Sequence, residues 1–357
     1  MFVLDSHCDT PSQILRLRDL SVDNTRGHVD FPKLLRGGVN ATFFALYIPK
    51  ELSADEGWAY AGRMLEATRE AVLKNSSVAR FATSEAQARA NADEGLVSVF
   101  LGLENASPIA EDLGRLEWFH RQGVRYVTLC HNADNQVCDS AAQGSTHHGL
   151  SPFGRKVVAK MNEMGMIIDC AHISDEAFWD VLECSSKPVV STHSCCRALS
   201  PHRRNMTDDM IKALAAAGGV IQINFYPVFL DYAFGSVLDS PQVSWYEEAE
   251  QDFIKNPSDS RAVARWNEAC DMLLSLDRPS YELVCDHIDH VVQLVGPDHV
   301  GIGSDFDGIC VPPSGLEDVS RIPLLFEQLR KRNYSEEDIA KIAGGNFLRV
   351  MRSCGVV

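Results

Sequence analysis

The chain has 357 residues, 45% of them hydrophobic and 23% charged, the composition of an ordinary globular protein rather than a disordered or low-complexity one. Acidic residues outnumber Lys plus Arg by 49 to 33, and the net charge of −16 argues against a nucleic-acid surface, which needs clustered positive charge. No apolar run reaches the ~18–20 residues of a membrane span, and no basic stretch leads into an apolar one, so a cytoplasmic chain without leader or membrane contact is expected.

In chain order, short apolar runs alternate with helix-like stretches. The runs are residues 2–9 (FVLDSHCD), 39–48 (VNATFFALYI), 96–105 (LVSVFLGLEN) and 124–132 (VRYVTLCHN). They continue at 166–174 (MIIDCAHIS), 188–194 (PVVSTHS), 219–226 (GVIQINFY) and 299–308 (HVGIGSDFDG). Amphipathic stretches at 59–75, 153–165 and 206–219 lie between them, the last with Thr207 as N-cap and Gly218 as stop. Eight nearly continuous apolar runs separated by helices are the pattern of buried parallel strands. An α/β fold of the (β/α)8 TIM-barrel type follows, with an open doubly wound sheet as the alternative. Residues 1–357 read as one domain.

The longest gap, 227–298, carries YPVFLDYAF, SWYEEAE and ARWNEAC. It is expected to be an insertion between the seventh and eighth strands, packed near the barrel mouth or at an oligomer contact. Residues 335–352 read as a capped closing helix interrupted at Gly344 and Gly345. Eleven cysteines, an odd number without a C-x-x-C pair, read as reduced thiols rather than a disulfide framework.

Polar residues fall at the C-terminal ends of these runs. They are His7 and Asp9, Glu104, His131, Asp169 and His172, His193, and Asp305 with Asp307. Singly, each is an ordinary loop residue or turn former. Jointly they would meet at the mouth of a barrel. Imidazole with carboxylate suits zinc, although manganese, cobalt or iron take such sets too. Five ligands, His7, Asp9, Glu104, His172 and His193, exceed what one catalytic zinc uses and suit two ions with a shared carboxylate. Cys8 and Cys170 alternate with ligands and should point away. The adjacent His147 and His148 are expected outside the site or at its rim.

The segments HCD, GLEN, LCHN, DCAHIS, STHS, RRN, NFY and GSDFDG stand in the order found in the renal (membrane) dipeptidases and their bacterial relatives. The chain resembles that family of zinc dipeptidases, built on an amidohydrolase-type barrel, from about residue 3 to the closing GGNFLRV. The resemblance implies two Zn2+ per chain, with His7 and Asp9 on one, His172 and His193 on the other, and Glu104 bridging. It implies that His131 contacts the substrate and steadies its tetrahedral intermediate. Arg204 would take the substrate's C-terminal carboxylate, a match of guanidinium fork to carboxylate. Asp305 would carry the proton from the nucleophilic water to the leaving amine, and Asp307 would be structural. The resemblance allows a homodimer. The chain departs from the vertebrate form at Cys8 and Thr10, and segment 227–298 matches poorly beyond NFY.

A zinc metallopeptidase hydrolysing small dipeptides, including those with a C-terminal D-residue, is therefore expected. The alternative is another amidohydrolase-type enzyme on the same metal site, such as an N-acyl-D-amino-acid hydrolase, lactonase or phosphotriesterase. A barrel kept only as a binding protein is the third reading, and the full set of ligands speaks against it.

Overall fold

The computed structural model describes residues 1–142, 145–238, 241–256 and 259–356. Nine parallel strands are present among them: β1 (Leu4–Cys8), β2 (Ala41–Tyr47), β3 (Ala79–Phe81), β4 (Val97–Glu104), β5 (Val124–Thr128), β6 (Ile167–Asp169), β7 (Val190–Ser194), β8 (Val220–Ile223) and β9 (Val300–Ile302). Eight of them pair in the order β1-β2-β4-β5-β6-β7-β8-β9. The ring is nearly closed by a parallel bridge between Cys8 and Phe306, where the Asp9 N–H donates to the Phe306 carbonyl at 2.9 Å. The expected (β/α)8 barrel is therefore the observed one, and the open sheet is not.

Two details differ from the sequence expectation. Strand β3 pairs with the lower half of β4 outside the ring. Its three residues, with Arg80 in the middle, carry no apolar run to detect. The true strands are also shorter than the apolar runs: β6 ends at Asp169 and β9 at Ile302. Residues beyond those ends stay buried in loops that dive into the mouth, so the apolar run reports burial rather than pairing.

Helix boundaries follow local chemistry. The helix Ala54–Lys74 starts five residues earlier than its apolar period, because Ser53 and Glu56 form a capping box. The helix Asp208–Ala216 is capped by the Thr207 side chain, as expected. Toward the closed end of the barrel, Phe43, Phe100 and Tyr126 pack together, and Phe347 of the helix Asn346–Cys354 meets Phe43 edge-on at 5.2 Å. The kink at Gly344 lets that helix approach β1, since a Cβ there would lie 2.9 Å from the Leu4 Cβ. One end is thus plugged and the other left for polar residues.

The insertion folds as the helices Pro227–Leu230, Gly235–Leu238, Pro241–Lys255 and Ser260–Leu274, followed by Glu282–Val295, which leads back to β9. Within the last, His287 is 1% exposed. Its Nδ1 accepts from the Cys196 N–H at 3.0 Å, and its Nε2 faces the Leu230 carbonyl at 3.1 Å. Burial pushes this imidazole down to about 4, from an ordinary 6.5. The unfolded chain therefore binds the extra proton first, and stability falls as pH drops from about 6.5 toward 4. His287→Gln should make urea-derived stability less steep in that window, by up to about 1.4 kcal/mol per pH unit. An unchanged slope would show that His287 does not titrate this way. Among the described residues, no helix is long and apolar enough to cross a membrane.

Candidate metal centre

The open end of the barrel gathers side chains from five strand ends around Glu104, the last residue of β4, which is 3% exposed. Its Oε2 lies 3.5 Å from His7 Nε2, which is also 3.5 Å from Asp9 Oδ2. Its Oε1 lies 3.1 Å from His172 Nε2 and 3.4 Å from His193 Nε2, with His131 Nε2 at 4.0 Å. The two carboxylate oxygens thus face two different candidate ligand sets. Asp305 joins His7 and Asp9 in a third group whose candidate ligand atoms lie within 4.8 Å of one another.

The imidazoles are held from behind. His7 Nδ1 meets the Tyr126 hydroxyl at 2.8 Å, His172 Nδ1 meets Asn132 Oδ1 at 3.2 Å, and His193 Nδ1 meets Thr192 Oγ1 at 2.8 Å. With each Nδ1 so engaged, each Nε2 turns inward. His172 Nε2 and His193 Nε2 face each other at 2.8 Å. His7 Nε2 and Asp9 Oδ1 are buried and have no hydrogen-bond partner among the described residues. Convergent lone pairs and orphaned polar atoms in a buried pocket suit divalent cations, so the donor set fits the metal that the sequence implies.

Charges follow the same layout. Burial holds His172 and His193 well below the ordinary imidazole range, as a neutral ligand requires. Burial would lower His7 as well, but the Glu104 and Asp9 carboxylates outweigh it and raise it well above that range. A cation on His7 Nε2 would satisfy the same carboxylates. Burial opposes the ionised Glu104, yet the neighbouring imidazoles hold it well below the carboxylate range. Asp305 is pushed up to about 6, chiefly by burial, and His131 is pushed down to about 4 for the same reason.

Close packing sets these positions. A Cβ on Gly102 would lie 2.2 Å from the Tyr126 ring that supports His7, and a Cβ on Gly308 would lie 2.0 Å from Asp9 Oδ2. His172 and Asp305 both have positive φ, 70° and 61°, a strained backbone tolerated where the surroundings enforce it. Asp305 Oδ2 accepts from Asn224 Nδ2 at 2.9 Å. Asp307 ties the N-terminal loop, accepting from Thr10 Oγ1 at 2.9 Å, Arg18 Nη1 at 2.5 Å and the His28 N–H at 2.9 Å.

Arg204 is 7% exposed. Its Nη2 donates to the His193 carbonyl at 3.1 Å and its Nη1 to Ser194 Oγ at 3.4 Å, while Nε has no partner among the described residues. The guanidinium sits over the Phe229 ring at 5.3 Å. A cavity of about 1670 Å³ opens over Asp9, Glu104, His131, His172 and Asp305, and the insertion supplies its wall through Tyr246 and Trp266. The insertion therefore lies at the mouth, one of the two expected placements.

Cys8 and Cys170 pack into the apolar layer, away from the site. His147 faces the Asn135 carbonyl and His148 faces Ser145, both apart from the ligand cluster. The sequence reading did not single out Tyr126, Asn132, Thr192 or Asn224. All four stand inside the quoted runs, but nothing in a linear pattern says which polar residue faces a ligand's far side.

A model of the membrane dipeptidase family, peptidase family M19, matches residues 1–356. Dipeptidase verJ of Clonostachys rogersoniana is 32% identical over 368 residues, spanning 98% of this chain and 84% of its own length. The crystal structure of the probable dipeptidase PvdM from Pseudomonas aeruginosa superimposes with a TM-score of 0.84 at 26% identity, over 99% of this chain and 95% of that one. A metallopeptidase from Rhodobacter sphaeroides, solved with a phosphinate mimic of the dipeptide L-Ala-D-Ala, has the same fold at 24% identity, with a TM-score of 0.81 over 99% of each chain.

Proposed function

The chain belongs to the membrane dipeptidase family, and from that premise we propose that it is a zinc-dependent dipeptidase working in the cytoplasm as a single domain of residues 1–357. The observation that carries this reading is Glu104, buried with one oxygen toward His7 and Asp9 and the other toward His172 and His193. Those five residues would hold two Zn2+, Glu104 bridging. Bound there, the ions would lower the pKa of a water and polarise the scissile carbonyl.

The chain's own residues supply the rest. Arg204, whose Nε is unengaged, fixes the substrate's free carboxylate beside β7. That contact limits the substrate to dipeptides, because a longer chain has no carboxylate at the required distance. His131, which lines the cavity, steadies the developing oxyanion through Nε2. Asp305 uses Oδ1, since Oδ2 is held by Asn224, to take a proton and hand it to the leaving amine. Pairing as a homodimer is compatible with this arrangement.

A second reading, an N-acyl-D-amino-acid hydrolase or lactonase on the same centre, is favoured by the cavity, which exceeds the roughly 300–1,000 Å³ usual for a small-molecule site. Metal analysis, with hydrolysis of L-Ala-D-Ala and L-Ala-L-Ala before and after chelation, separates them. Close to two zinc ions per chain and chelator-sensitive release of alanine are expected. Two metals without dipeptide cleavage would favour the second reading. Hydrolysis untouched by chelation would remove the metal from both.

A further inference from the structure

His193 does not meet its backing group alone. The Thr192 hydroxyl at its Nδ1 also donates to Asp169 Oδ2 at 2.7 Å. Asp169 is fully buried, and four donors fill its carboxylate. The Thr128 hydroxyl and the Thr192 hydroxyl reach Oδ2, and the Ala171 and Thr192 N–H groups reach Oδ1. A hydroxyl has one hydrogen. Given to Asp169, it leaves only a lone pair for His193 Nδ1, so that nitrogen must carry the proton. The lone pair of the ring then sits on Nε2, facing Glu104 and His172.

We propose that Asp169 and Thr192 are positioning residues that fix the Nε2-ligating tautomer of His193 through a carboxylate–hydroxyl–imidazole relay. The relay rests on the reading of His193 as a metal ligand. Neither residue touches the substrate. Each of the three inward-facing histidines is backed differently, His7 by a phenol and His172 by an amide, and only His193 is backed through a hydroxyl to a carboxylate. Partners of this second layer raise ligand basicity, and their loss typically weakens metal binding by about 10–100-fold.

The test is competition for Zn2+ between the zinc-loaded protein and a chromophoric chelator. Thr192→Val keeps the shape and loses the hydroxyl, and it should bind zinc about 10–100-fold more weakly. Thr192→Ser should restore the affinity. Equal affinity in Thr192→Val, or an equal loss in Thr192→Ser, overturns the relay. His193→Asn is the control: if it too keeps full affinity, His193 is not a ligand and the metal-centre reading itself fails. Should Thr192→Val not fold, 15N shifts of the histidine rings in the unaltered zinc-loaded protein decide. A proton on Nδ1 of His193 is the expected result, and a proton on Nε2 overturns the proposal.

Discussion

Replacing Asp305 by asparagine is expected to lower kcat on L-Ala-D-Ala by about 10²–10⁴-fold, the range for loss of a positioned acid–base group, while zinc content stays unchanged. The side chain is anchored at Oδ2 by Asn224 Nδ2 at 2.9 Å, and Asp305 lines the cavity. Asparagine keeps the size and can still present an oxygen to Asn224, so the strained backbone at residue 305 has no new reason to move. What it loses is the ability to accept a proton and release it. Asp305 also lies within reach of the His7–Asp9 group, so the metal measurement matters as much as the rate. Full zinc with lost turnover is the signature of a proton carrier. Lost zinc would make Asp305 a ligand, and retained turnover would leave the proton to another group.

Arg204→Met should lower kcat/KM on dipeptides by about 30- to 5,000-fold, corresponding to the 2–5 kcal/mol lost when one partner of a desolvated, hydrogen-bonded charge pair is truncated. The same variant should lose far less on the C-terminal amide of the same dipeptide, which offers no carboxylate. The comparison is needed because Arg204 also donates to the His193 carbonyl and to Ser194. If its work were to hold the end of β7, both substrates would suffer alike. A loss confined to the free carboxylate identifies the guanidinium with substrate recognition, and an equal loss assigns it to the scaffold.

Much of this architecture is legible in the linear chain because parallel barrel strands are buried on both faces. Continuous apolar runs such as 39–48 and 96–105 stand out without any alternation to decode. The strand ends were legible for the same reason: a run that stops at once in His7, Glu104 or His193 has reached the one surface of the barrel that can be polar. Strand β3, at Ala79–Phe81, was not legible, since three residues around an arginine are stabilised by their register on β4 rather than by their own composition.

The sequence by itself therefore determined the barrel, the side of it that carries chemistry and the residue types gathered there. The tertiary structure alone decided how they face one another. Glu104 divides its two oxygens between candidate ligand sets drawn from positions 7, 9, 172 and 193, and only ring closure puts those positions within 4 Å of it or of each other. Tyr126, Asn132 and Thr192 acquire their meaning the same way, each standing behind a histidine 119, 40 or one residue away. Spacing along a strand says which face a side chain takes, but the partner across the barrel is set by packing, and packing has no linear code.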